Sequence, residues 1–140
     1  MVNSFYALLE SVGFTHPLHP VMTHLPIGMV IGMLLFGLLG LKWKDKHFAL
    51  ASYYCSVVAL ISIFPTAFLG ILDWLKFFYG EWYPLIIVKM TLSVILTVLL
   101  AVSIILRNKG VAHKKVVIVY ILCMACAGGL GYSGGDLVYG

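Results

Sequence analysis

Three histidines and three prolines crowd one short segment, Thr15-His16-Pro17-Leu18-His19-Pro20-Val21-Met22-Thr23-His24-Leu25-Pro26. Imidazole is the usual nitrogen ligand of metals and haem iron, and it titrates near neutrality. Proline fixes φ and removes a donor, so these prolines stiffen the approach to a helix and set where it starts. His24 falls in the first turn of that helix, from which its ring can point into a bundle, and His19 lies one stiff turn earlier. Two imidazoles held this way have the preorganisation that a ligand site needs, so His19 and His24 are the candidate metal ligands. A competing use for His16 and His24 is interfacial, with the rings hydrogen-bonded to headgroups or carbonyls. A second constellation joins Asp73, Lys89 and Asp136 at the same level. Lys89 lies about 7 Å deeper than Pro84 along its helix, where an ammonium is costly unless it pairs or snorkels. Asp73 or Asp136 is the expected partner, with His24 completing a polar cluster; snorkelling to the headgroups is the alternative.

Other chemistry-bearing residues read more simply. His47 and His113 flank basic loops and are expected to be solvated. Cys123 and Cys126 form a C-x-x-C without a following histidine, so they are not a c-type haem attachment site, and with Cys55 they fall in apolar stretches as small hydrophobes. Gly28, Gly32, Gly37 and Gly40, and the run Gly128, Gly129, Gly131, Gly134 and Gly135, let backbones approach closely. Those glycines serve packing inside a bundle, a self-association face, or room for a flat cofactor; Gly129 and Gly131 are the candidates to line a porphyrin beside His24, His19 and Lys89. No P-loop, G-x-S-x-G, HExxH or paired-carboxylate site is present, which argues against a hydrolase or transferase.

The elements that must position these residues follow from composition. Apolar residues make up 62% of the 140 and charged ones 10%, and the mean hydropathy is +1.06. A soluble domain carries roughly 25% charged residues, so the solvent of this chain is lipid. Four stretches approach the ~20 helical residues needed to cross a bilayer core: about 25–41, 48–72, 84–106 and 116–135. Lipid cannot satisfy a bare backbone, and alternating barrel strands are absent, so the expected fold is all-α, a four-transmembrane-helix bundle forming a single domain. Pro26 and Pro84 sit in first turns, Asp45 can cap the second span, and Pro65 should kink it. Trp43, Trp74, Tyr79, Trp82 and Tyr83 flank the spans as interfacial aromatics do. Residues 1–23 form a segment at the membrane surface; Phe5, Leu8, Leu9 and Val12 recur at helical spacing, so residues 3–13 are either a short interfacial helix or a partly ordered tail.

Charge sets the orientation. Lys42, Lys44 and Lys46 follow the first span, and Arg107, Lys109, Lys114 and Lys115 follow the third, seven of the nine basic residues. These loops share a side, and the positive-inside rule makes that side cytoplasmic with both termini facing outward. The positive charge therefore marks membrane topology, not nucleic-acid binding.

The pattern His19-Pro20-x-x-x-His24-x-Pro26-Ile27, the turn Gly70-x-x-Asp73-Trp74 and the ending Gly134-Gly135-Asp136-Leu137-Val138-Tyr139-Gly140 resemble a bacterial four-helix membrane family of unknown function. That family opens with H-P-x-x-V-H-F-P-I-A and ends with G-G-x-L-V-Y-x-H-G. The resemblance spans the whole chain; His19, His24, Asp73, Gly134, Gly135, Leu137, Val138 and Tyr139 match. It implies a four-span inner-membrane domain whose relatives accompany or are fused to Rieske and cytochrome modules, and hence electron transfer with haem b. Two departures bear on this: where the family has a third-span histidine and an asparagine, this chain has Lys89 and Ser93, and the closing histidine is missing.

Two functions follow as expectations. One is a b-type haem electron-transfer subunit, with or without a quinone link, using His24 or His19; the other is a non-catalytic accessory subunit packing against other membrane or redox subunits, or against itself, through its glycine faces. A proton path or transporter using His24, Lys89 and the aspartates is a third. The topology is tested directly: a reporter active only in the periplasm, fused after Gly140, should be active, whereas activity from a cytoplasm-dependent reporter alone would reverse the orientation.

Overall fold

The computed structural model describes residues 2–139, with side chains as far as residue 135. The chain is all-α: α1 (Val2–Ser11), α2 (His19–Trp43), α3 (Lys46–Phe77), α4 (Pro84–Asn108) and α5 (His113–Tyr139). The last four are long and apolar enough to cross a membrane, as the hydropathy pattern predicts. Each of α2 to α5 packs on the next, and α2 closes the ring against α5. Two ends result. The basic end carries the α2–α3 and α4–α5 loops; the opposite end, called here the Asp73 end, carries α1, the start of α2 and the close of α3.

The ring is turned inside out relative to a soluble bundle. Large apolar side chains such as Ile61 and Phe64 are more than 60% exposed, which is tolerable only when the surroundings are hydrocarbon. The inward face of α3 is instead small and polar: Ala49, Ser52, Ser56, Ala59, Ser62 and Thr66 recur every three or four residues and are buried, as is Asp73 two turns further on. Small side chains let two backbones come close where lipid supplies no hydrophobic force between helices. Their hydroxyls are satisfied within the helix: Ser52 donates to Ala49 O (2.9 Å), Ser62 to Ala59 O (2.9 Å) and Thr66 to Ser62 O (2.7 Å). On α2, Val30, Met33, Gly37 and Gly40 are buried. At Gly37 an added Cβ would lie 2.9 Å from a Tyr120 ring carbon, so the glycine is the space into which that fully buried ring fits. Cys123 is buried in the same core and all three cysteines are free, consistent with packing.

Boundaries shift in informative ways. α2 begins at His19, not near residue 25, so His24 lies in its second turn. α3 has 32 residues, about 48 Å of helix against a ~30 Å hydrocarbon layer. With Lys46 at the basic interface, Asp73 stands about 40 Å along α3, which places it at headgroup level. Asp45 caps α3 as expected, accepting from His47 N–H (2.8 Å). Residues 2–11 are a helix, not a tail; Leu8 and Val12 face outward while Tyr6 is buried.

The tight α2–α5 contact gives a test. Gly37→Val should lower stability by about 1–3 kcal/mol, the usual effect of overpacking, in thermal unfolding of detergent-solubilised protein. Leu38→Val, one residue along on the outward face, should change it by less than about 0.5 kcal/mol. Equal effects of the two would contradict the packing.

Candidate functional site at the Asp73 end

The Asp73 carboxylate is the meeting point of three segments. It is buried near the close of α3, 6% exposed. One oxygen accepts from Tyr6 Oη of α1 and from Leu18 N–H (3.2 Å), and the other from His19 N–H (2.8 Å). Leu18 is the N-cap of α2 and has no side chain able to cap. The first amides of a helix have no partner inside it, and their aligned dipoles favour a negative charge there. Asp73 is thus the missing cap, delivered from a neighbouring helix. Pro20 follows in the first turn, where its absent N–H is no loss.

His19 is held by the same joint. Its Nδ1–H donates to Thr66 O (2.9 Å), which leaves the lone pair on Nε2. The ring lies against Gly70, where a Cβ would sit 2.9 Å from Nδ1. Gly70 and Asp73 therefore receive the ring and the amide of one residue. α1 completes the joint: the Tyr6 ring stands edge-on to Phe77 (5.6 Å between centroids), Lys76 Nζ lies 5.7 Å from the Tyr6 ring, and Lys76 and Glu10 approach to 3.7 Å. Burial, reinforced by the hydrogen bond to Asp73 and by its charge, pushes the Tyr6 phenol well above the ordinary tyrosine range.

The other residues singled out in the sequence are placed differently. His24 is exposed on the outer surface of α2, not turned into the bundle. His19 and His24 are separated by five positions, or about 140° around the helix, so both cannot face inward. His16 is also exposed, 3.3 Å from Thr15 Oγ1 through Nδ1. Lys89 is half-buried beside Gly134, whose Cβ would lie 3.7 Å from Nζ. The expected Lys89–Asp73 ion pair is not formed; among the described residues the one ion pair is Lys76–Glu10. The side chain of Asp136 lies outside the described residues, as do those of Leu137, Val138 and Tyr139. Gly129 is filled by Leu92, 3.1 Å from a built Cβ, and Gly131 is open to the surroundings of the bundle.

His19 and His24 are not brought together, His19 alone bringing an imidazole to the joint, and among the described residues no group of three His, Cys, Asp or Glu is placed to hold a metal ion. Neither Gly129 nor Gly131 opens an interior slot for a porphyrin.

Tyr6 was hidden in sequence among the apolar residues of α1; its signal is a hydroxyl-bearing ring in a run otherwise fit for an interface. His113 was misjudged as solvated. Its Nε2–H donates to Gly37 O (2.9 Å), and its Nδ1 is buried without a partner. Gly40 leaves room for the ring, since a Cβ there would meet Nε2 at 2.9 Å, but no local sequence pattern pairs the two.

Residues 15–140 match the family described as "Predicted membrane protein (DUF2231)". The chain belongs to that family. It is a multi-pass membrane protein, and lipid covers its outer surface. No curated protein and no solved structure matches it. The match begins at Thr15, after α1, so it covers the His19–Gly70–Asp73 joint while Tyr6 lies before it.

The Tyr6 contact makes α1 docking sensitive to alkali. A phenol whose pKa is raised on folding contributes stability that is complete below the ordinary tyrosine value of ~10 and is lost as the pH rises beyond it. Limited proteolysis should therefore release residues 2–11 above about pH 10. Tyr6→Phe should weaken docking by about 1–3 kcal/mol, because Asp73 loses a donor, and should flatten this pH dependence. An unaltered pH profile in Tyr6→Phe would contradict the contact.

Proposed function

We propose that the chain is a non-catalytic accessory subunit of a bacterial inner-membrane assembly, one that packs laterally against a transmembrane helix of its partner. The observation that carries this is the outward glycine face of α5. Gly128, Gly131 and Gly135 are exposed, and a Cβ at any of them would meet nothing within 4 Å. Gly131 stands about 24 Å along α5 from Lys115, inside the hydrocarbon of the leaflet at the Asp73 end. Glycine lowers helix stability relative to alanine, and in lipid its compensation is close approach of a second backbone. Bulky Tyr132, 78% exposed, flanks the strip and supplies contact area beside it. The polar groups at the Asp73 end support the same reading, because Asp73 and the His19 Nδ1 are engaged in holding α1, α2 and α3 together.

Blue-native electrophoresis of mildly solubilised native membranes tests this. The wild type is expected in a particle much larger than its 15.4 kDa chain, and Gly131→Leu is expected to release the free subunit with its helical content intact. Leu35→Ala, on the lipid-facing side of α2, should leave the particle whole. A wild type that runs as a free subunit would sink the proposal. So would a sharp haem absorption spectrum in the purified chain, which would restore the electron-transfer reading.

A further inference from the structure

The basic end holds a cleft of about 350 Å³ between the close of α2, the start of α3, the close of α4 and the start of α5. Gly40, Leu41, Lys44, Lys46, Arg107 and His113 line it. Three of these are cations, Lys44 and Lys46 from the α2–α3 connection and Arg107 from the close of α4. Lys44 and Lys46 are exposed and Arg107 is half-buried, so the positive charge lies along the rim of the cleft. Asp45 also borders the cleft; its carboxylate, which accepts from His47 N–H at the start of α3, offsets one of the three cations. In this setting His113 is unusual. Its Nε2–H is committed to Gly37 O, and its buried Nδ1 has no partner among the described residues.

We infer that this cleft binds the phosphate headgroup of an anionic phospholipid from the leaflet at the basic end. Arg107, Lys44 and Lys46 supply the charge, and Gly40 keeps α2 clear of the His113 imidazole that closes the inner side. Basic pockets between spans, at the level where a helix leaves the hydrocarbon, bind acidic headgroups through this combination of charge and depth. Two features favour a lipid over free phosphate. The cleft is open to its surroundings, not enclosed, and Leu41, on the same rim, is 36% exposed and offers an apolar path for acyl chains. The volume is at the low end for small-molecule clefts, enough for a headgroup and not for a whole lipid.

Native mass spectrometry of the detergent-solubilised chain, with equimolar phosphatidylglycerol and phosphatidylcholine, reads the selectivity without any substitution. Phosphatidylglycerol should dominate the bound population. Affinity for it should fall about fivefold in Arg107→Gln and about 25-fold when Lys44→Gln is added, at the worth of one basic side chain each. Lys115→Gln, basic but outside the cleft lining, should change it little. Inorganic phosphate at the concentration of the lipid should not displace it. Equal occupancy by the two lipids overturns the inference, as does unchanged affinity in the Arg107→Gln, Lys44→Gln pair. Displacement by inorganic phosphate alone overturns the lipid assignment.

Discussion

A carboxylate removed from water must be given donors, and everything at one end of this bundle follows from how Asp73 receives them. Its partners are two backbone amides at the start of α2 and the hydroxyl of Tyr6. Hydrogen bonds to a charged group contribute ~1.5–3 kcal/mol each, and the field of a helix N-terminus adds to them. The start of α2 at His19 is explained by this one group: Leu18 cannot cap a helix, and Asp73 does so from α3. His19 is thereby fixed against Gly70 and Thr66, and α1 is anchored through Tyr6. Removing the carboxylate would leave two amides and a phenol unpartnered at once.

The same constraint, that polar groups near lipid must find partners inside the protein, shapes the rest of the ring. Serines along α3 return their hydroxyls to their own helix, which lets α2 and α3 meet across small side chains. Glycines in α2 make room for the Tyr120 ring and the His113 imidazole, and His113 ties α5 to α2 through Gly37 O. The two ends are therefore built alike, each with a histidine donating to a carbonyl on an adjacent helix. They differ in what surrounds it: a single carboxylate with its donors at one end, converging cations at the other.

The four spans and the gathering of the basic loops at one end were readable from hydropathy and charge, because the bilayer imposes both at the level of composition. The importance of Asp73 was readable too, but its partner was not. Matching charges pointed to Lys89, whereas the structure answers with helix-end amides, which carry no signature in side-chain identity. The choice between His19 and His24 was within reach of the sequence, since five residues turn a helix by about 140° and only one ring can face inward. The error came from starting α2 near residue 25, which hid His19 in a loop. Tyr6 and the His113–Gly37 contact depend on long-range placement of helices that no local pattern encodes.

Amide hydrogen exchange tests the central place of Asp73 most directly. In the wild type, the amides of Leu18 and His19 and the first turn of α2 should exchange slowly. In Asp73→Ala they should exchange much faster, together with residues 2–11, while the amides of α5 near Tyr120 keep their protection. Unchanged protection at Leu18 and His19 in Asp73→Ala would show that the carboxylate does not hold this end of the bundle.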